Sequence, residues 1–306
     1  GVEVGFLEDR ITADLTYYYQ KTTDLFLGLA QQASSGWENL TIFRNAGELQ
    51  NQGVDFSVTS RNIVSPQSDG FTWTTILNLG FNQNKVLDVA TASPDALAGG
   101  FGDTRAIEGE PLNTNFIIKY VGLDENGYPL YENTETGQPI SQYREAFDRQ
   151  VVGNGMPWLV GGMTNEFTFK NFDLSAFFVF SLGGEIYDDA AKRQRSTLSR
   201  QTEGAWTVRR DVIGNYWQQP GDDAQYARLT FLPENYGLNG IWNNNHTLWL
   251  EDADYLRLRT LTLGYTFPNP PQGFSNLRVY FTGQNLLTIT EYTGWDPEVA
   301  RERTNA

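Results

Sequence analysis

The chain has 306 residues, no cysteine, and a net charge of −15 from 37 acidic against 22 basic residues. That acidic balance argues against nucleic acid as a partner, because phosphate contacts need a basic surface, and the lack of cysteine excludes disulfides and thiolate metal sites. A mean hydropathy of −0.44 and no apolar run of about 18 residues exclude a helical membrane span, but not a β-barrel, whose strands offer lipid only every second residue.

In chain order, Gly1 to Leu7 carries no basic region followed by an apolar core and reads as the tail of a strand. From Arg10 to Gln20, Ile11, Ala13, Leu15, Tyr17 and Tyr19 alternate with Thr12, Asp14, Thr16, Tyr18 and Gln20, so a pleat puts the two sets on opposite faces. Val54, Phe56 and Val58 supply another strand. From Phe71 to Asn82, Phe71, Trp73, Leu77, Leu79 and Phe81 oppose Thr72, Thr74, Asn78, Gly80 and Asn82. A hairpin then runs down through Leu159, Met163, Phe167 and Phe169, turns at Lys170 and Asn171, and returns through Phe172, Leu174, Ala176, Phe178 and Phe180. Near the end, Leu261, Leu263, Tyr265 and Phe267 alternate with Thr260, Thr262, Gly264 and Thr266, before Leu277, Val279 and Phe281 alternate with Arg278, Tyr280 and Thr282.

The connections alternate between short (Leu7 to Arg10, Asn62 to Gly70, Lys170 to Asn171, Pro268 to Asn276) and long (Lys21 to Arg44, Lys85 to Pro157, Leu182 to Ala253). A soluble sandwich has no reason to put every long loop at one end, whereas an outer-membrane barrel pairs short periplasmic turns with long extracellular loops. Aromatic residues, 14% of the chain, gather near strand ends, as in a membrane girdle. The expected fold class is therefore all-β, a transmembrane antiparallel β-barrel of which roughly nine strands are present. The whole of 1–306 reads as a fragment of such a barrel, without its final strand, with extracellular loops at about 21–44, 85–157, 182–253 and 286–306. Loops of this length carry structure of their own. Asn126 and Gly127 are expected to turn between strands Tyr120 to Leu123 and Tyr128 to Tyr131.

Several stretches, in order, resemble the SusC/RagA type of TonB-dependent outer-membrane transporters of Bacteroidetes. They are Asn45 to Glu48 with Asn51, Gly53, Val54 and Asp55; Glu108 to Leu112 with Tyr120 to Gly122 and Asp124; and Arg149, Val152, Gly153 and Pro157 to Gly162. Further on come Asp252, Tyr255 to Arg259, Leu261 to Tyr265 and Pro268, then Leu277 to Phe281, Gly283 to Leu287 and Gly294 to Val299. Asp55, Gly155, Trp158, Asp254 and Thr260 depart from the family's usual residues. The resemblance places 1–306 in the C-terminal part of such a transporter and implies a barrel of about 22 strands, a plug domain and TonB box that this chain does not contain, and a SusD-like surface lipoprotein acting as a lid. It also implies uptake of a bulky nutrient, an oligosaccharide or a peptide, across the bacterial outer membrane, driven by TonB. The barrel would perform no chemistry, need no cofactor, and present Thr16, Tyr18, Asn78, Thr262, Arg278 and Tyr280 to a wet lumen and the plug.

No catalytic constellation stands out. The only histidine, His246, lies in a run of asparagines and is expected to be solvated. Asp222 with Asp223, and Glu251 and Asp252 with Asp254, are read as solvated carboxylates rather than an acid/base pair. The glycines at 99–102 and 161–162 lack the Lys and Ser or Thr of a nucleotide loop, and no EF-hand pattern marks a calcium site. Loop aromatics suit sugar stacking, anchoring within the loops, or contact with a lid, so Trp37, Trp206, Trp217, Tyr226, Trp242 and Trp249 are the ligand- or lid-contact candidates. The rival reading is a secreted β-sandwich or propeller, either a carbohydrate-binding module or a glycoside hydrolase, for which Asn39 to Thr41 and Asn245 to Thr247 would supply glycosylation sequons.

Overall fold

The computed structural model describes residues 1–30, 41–67, 69–90, 97–99, 103–143, 145–195, 197–199, 209–231 and 245–298. Eight strands form one antiparallel sheet: β1 (Val2–Phe6), β2 (Ile11–Thr22), β3 (Glu48–Ile63), β4 (Thr72–Asp88), β5 (Leu159–Phe169), β6 (Phe172–Leu182), β7 (Tyr255–Thr266) and β8 (Arg278–Thr290). Each pairs with its neighbours in this series, so the sheet is an up-and-down meander that, among the described residues, is not closed: β1 pairs only with β2, and β8 only with β7. Among the described residues the sheet has eight strands, in line with the roughly nine, partial ones included, expected from alternation. Residues through Thr290 continue β8 past a bulge, where Asn285 has φ +50° and the register shifts between Leu258 and Thr260. The last loop accordingly begins at Glu291 rather than near 286.

The register carries the period-two pattern across the sheet. Leu15, Phe56, Leu79, Gly161, Phe180, Leu256 and Ile289 lie in one cross-strand row, and Ala13, Val58, Leu77, Met163, Phe178, Leu258 and Leu287 in the next. This apolar face is left uncovered: Leu15 is 47% exposed, Phe281 76% and Ile289 58%. A sandwich would lay a second sheet on such a face. Aromatic side chains edge it at both ends, with Trp73 stacked on Phe167 and Phe172 against Tyr265 at the short-turn end, and Phe81 against Trp158 at the other. In β7 the face would invert after Leu258, but the bulge at Arg259 restores it, so Leu261, Leu263 and Tyr265 rejoin Leu256 and Leu258.

Gly53 explains one of the motifs. A Cβ there would collide with Phe81 O and with the ring and hydroxyl of Tyr18, which crosses over Gly53 to donate to Asn82 Oδ1 at 3.1 Å. Only glycine lets that tyrosine lie flat on β3.

The connections β2–β3, β4–β5 and β6–β7 all fall at one end of the sheet and fold into a cap. It contains the hairpin Phe26–Ala30 with Thr41–Asn45, a three-stranded sheet (Tyr120–Leu123, Pro129–Glu132, Pro139–Ile140) and the sheet built on Thr114–Ile118 and Arg149–Asn154. The expected turn at Asn126 and Gly127 is present: Gly127 has φ +78°, and Asp124 Oδ1 accepts from the amides of Asn126 and Tyr128. The cap has its own core, formed by Ile117, Tyr187, Ala191, Val212, Tyr226 and Trp249, beside a second cluster of Ile118, Tyr131 and Ala227.

Candidate functional site

Two surfaces can meet a ligand: the polar face of the sheet and the cap above it. Register places Thr16, Tyr18, Asn78, Thr262, Arg278 and Tyr280 on the same face, opposite the apolar one. Their polar atoms are tied across strands. Ser57 Oγ donates to Asn78 Oδ1 at 2.8 Å, the hydroxyls of Thr262 and Thr282 are 3.1 Å apart, and Arg278 donates to both Asp173 oxygens at 3.1 and 2.5 Å while lying over the Tyr280 ring. The face is not uniformly polar. Ile76, Val160, Phe177 and Val179 also point this way, an apolar island in its middle.

The loop aromatics divide. Trp37, Trp206 and Trp242 lie outside the described residues. Tyr226 and Trp249 are only 3% and 4% exposed, with rings stacked 6.3 Å apart inside the cap core, so they hold the loops together rather than offering an open face. Trp217 is half-buried on the Asn126–Gly127 turn: a Cβ on Gly127 would run into its ring, and the Arg228 guanidinium sits over both Trp217 (5.4 Å) and Tyr128 (5.3 Å).

His246 corrects an expectation. It is 5% exposed rather than solvated, packed among Tyr120, Tyr131 and Trp249, and burial, with Lys192 nearby, pulls its pKa down to about 3. A neutral, enclosed imidazole is no general base for an outside substrate. Three of the carboxylates flagged in the sequence also carry structural bonds. Asp222 accepts from the Gln218 and Gln219 amides at 2.9 Å, bonds that hold its carboxyl below the usual range; Asp254 accepts from the Gly183 amide at 2.5 Å; and Glu251 accepts from Arg195 at 2.9 Å. Among the described residues no group of three or more His, Cys, Asp or Glu could hold a metal ion.

Two arginines that sequence reasoning passed over organise the cap. Arg195, 4% exposed, donates to Asp211 (2.8 Å), Glu251 (2.9 Å) and Thr293 Oγ1 (2.7 Å). It forms the wall of a polar cavity of about 340 Å³ lined also by Gln225, Tyr226, Asp252 and Glu291. Arg257, on the polar face of β7 and 5% exposed, donates to Asp296 (2.5 Å), Glu298 (2.8 Å) and Thr288 (3.0 Å), while Arg259 pairs with the other oxygen of Glu298. Residues 291–298 thus strap the wall to the cap. The signal was present as Arg-Leu-Arg followed by Asp-Pro-Glu, complementary charges about 40 residues apart.

No family model matches the chain. It is 29% identical to TonB-dependent receptor P3 of Formosa agariphila, over 100% of this chain and 30% of that protein. It is 26% identical to TonB-dependent receptor SusC of Bacteroides thetaiotaomicron, over 98% of the chain and 29% of SusC. Among solved structures, the RagAB peptide importer in its open-open state superposes with a TM-score of 0.78 at 22% identity, covering 96% of this chain and 31% of that one. The chain therefore spans about 30% of the length of the curated relatives it matches. Along nearly its whole length it is similar to these TonB-dependent receptors, and it has the fold of the matching part of RagAB.

Proposed function

We propose that this chain is wall and loop cap of an outer-membrane importer that takes up an oligosaccharide or peptide, driven by TonB. The observation that carries the reading is an uncovered apolar face, edged by aromatic rings, on a meander whose long loops all fold at one end. Outer-membrane lipid is the partner such a face requires. The opposite face, with Thr16, Tyr18, Asn78, Thr262, Arg278 and Tyr280, lines the lumen. The segment 1–306 is the C-terminal part of the barrel.

Trp217 in the cap, with Trp37, Trp206 and Trp242, contacts the nutrient or a SusD-like lipoprotein lid. Tyr226 and Trp249 serve the site by fixing the loops. RagAB is a peptide importer and SusC a TonB-dependent receptor; RagAB supports import and the peptide class, while the oligosaccharide class rests on the sequence resemblance.

The test is detergent extraction of the tagged full-length parent from its native outer membrane, with mass spectrometry of what accompanies it. A stoichiometric surface lipoprotein is expected. Recovery in the soluble fraction would contradict the barrel, and recovery from the membrane alone would contradict the lid.

A further inference from the structure

His246 lies where the two longest loops meet. Its backbone bridges Ile118 in parallel, the Ile118 amide donates to Asn245 O at 3.2 Å, and the Tyr120 amide donates to Thr247 Oγ1 at 3.0 Å. Residues 245–247 of one loop are thereby stitched to residues 118–120 of the other. Aromatic rings surround the imidazole, with centroids at 5.5 Å (Tyr131), 5.8 Å (Trp249) and 6.0 Å (Tyr120).

Two buried polar atoms here have no hydrogen-bond partner: His246 Nδ1 and Trp249 Nε1. Orphaned buried groups are rare and costly, and these two are complementary. An indole N–H only donates, and the unprotonated nitrogen of a neutral imidazole only accepts. Both side chains line one cavity, with about 30 Å³ open to water centres. A single water needs on the order of 10–15 Å³ and two or more polar partners.

We propose that this cavity is a hydration site in which one water accepts from Trp249 Nε1 and donates to Nδ1 of a neutral His246, and that the bridged joint holds the two long loops together at neutral pH and releases them in acid. A cation, Lys192, acts on the imidazole, and a second, Arg195, lines the same cavity. Lys192, from the helix Asp189–Arg195, pairs with Asp189 at 3.1 Å and donates to Asn245 at 3.0 Å; Arg195 is held by Asp211 and Glu251. Tyr120, Tyr131 and Tyr226 present un-ionised phenols, and burial pushes that of Tyr120 up to about 12. An imidazolium would add a positive charge beside these cations, in a site stripped of bulk water. With a folded pKa of about 3 against 6.5 when free, the joint is fully stabilised above 6.5 and loses that stability as pH falls towards 3.

The experiment is amide hydrogen exchange on the full-length protein in nanodiscs at pH 7.5 and 4.5, corrected for intrinsic exchange. Protection of the Ile118 and Tyr120 amides should fall by up to about 100-fold at pH 4.5 while that of β3 and β4 is kept. His246→Gln, which cannot titrate, should abolish the difference. A density map of the full-length protein at water-resolving quality should show one solvent peak within hydrogen-bond distance of both atoms. Unchanged corrected protection in the wild type, persistence of the difference in H246Q, or a cavity without that peak would each overturn the proposal, and the wild-type series decides even if H246Q does not fold.

Discussion

A charge on the apolar face has a cost that depth along the strand determines. On β4, Leu77 stands four residues from Trp73 and four from Phe81, the aromatic positions at the two ends of the face. At roughly 3.4 Å per residue that is about 14 Å along the strand to either ring, or about 10 Å of depth for a strand tilted near 45°. In the proposed barrel Leu77 is therefore at the midplane, and Leu77→Arg should cost about 2–4 kcal/mol. Leu263, two residues from Tyr265, is only about 5 Å inside its ring, so Leu263→Arg should cost less, about 1–2 kcal/mol. Asn78→Arg, on the opposite face, should cost about 0–1 kcal/mol. Each 1.4 kcal/mol is about a tenfold change in the folded-to-unfolded ratio. The assay is urea-titrated folding of the full-length protein into phosphatidylcholine vesicles, read by heat-modifiable migration. Equal costs at Leu77 and Asn78, or a larger one at Asn78, would refute the facing.

Other outcomes follow from particular contacts. Gly53→Ala should destabilise by about 1–3 kcal/mol, because the added methyl meets Phe81 O and the Tyr18 ring; Tyr18→Ala combined with it should recover part of the loss in the same folding titration. Arg257→Met should leave Asp296 and Glu298 without their shared cation and release the strap, read as faster hydrogen exchange over 291–298; since both carboxylates are over a third exposed, the cost should stay near about 1–2 kcal/mol. Trp249→Ala should cost about 3–5 kcal/mol in the cap and expose it to protease, whereas Trp217→Ala should leave the cap protease-resistant and weaken ligand or lid binding. Protease sensitivity equal in both variants would remove the distinction between anchor and contact.

What was legible followed from local regularity. Alternation in Ile11 to Tyr19 and in Phe71 to Asn82 marks strands because every second residue meets the same surroundings, and the hairpin at Lys170 and Asn171 is set by two residues in sequence. The bulges at Arg259 and Asn285 were hidden, since each side of a bulge alternates correctly and only the partner strand reveals the slip. The cap was harder still. Its core joins Ile117, Tyr187 and Trp249 from segments tens of residues apart, and nothing local separates an aromatic that anchors a loop, such as Trp249, from one that meets a partner. His246 was misjudged for the same reason: its asparagine neighbours are polar, but Tyr120 and Tyr131, which enclose it, come from the other loop.

The central claim is that one face of this sheet meets lipid and the other a wet lumen. Because the segment has no cysteine, single cysteines can be placed at Leu77, Asn78, Leu79 and Gly80 in a cysteine-free full-length background and reacted in intact outer membranes with a water-soluble maleimide. Labelling should alternate, with Asn78 and Gly80 reactive and Leu77 and Leu79 protected until detergent is added. Uniform reactivity along the strand, or the opposite alternation, would contradict the account.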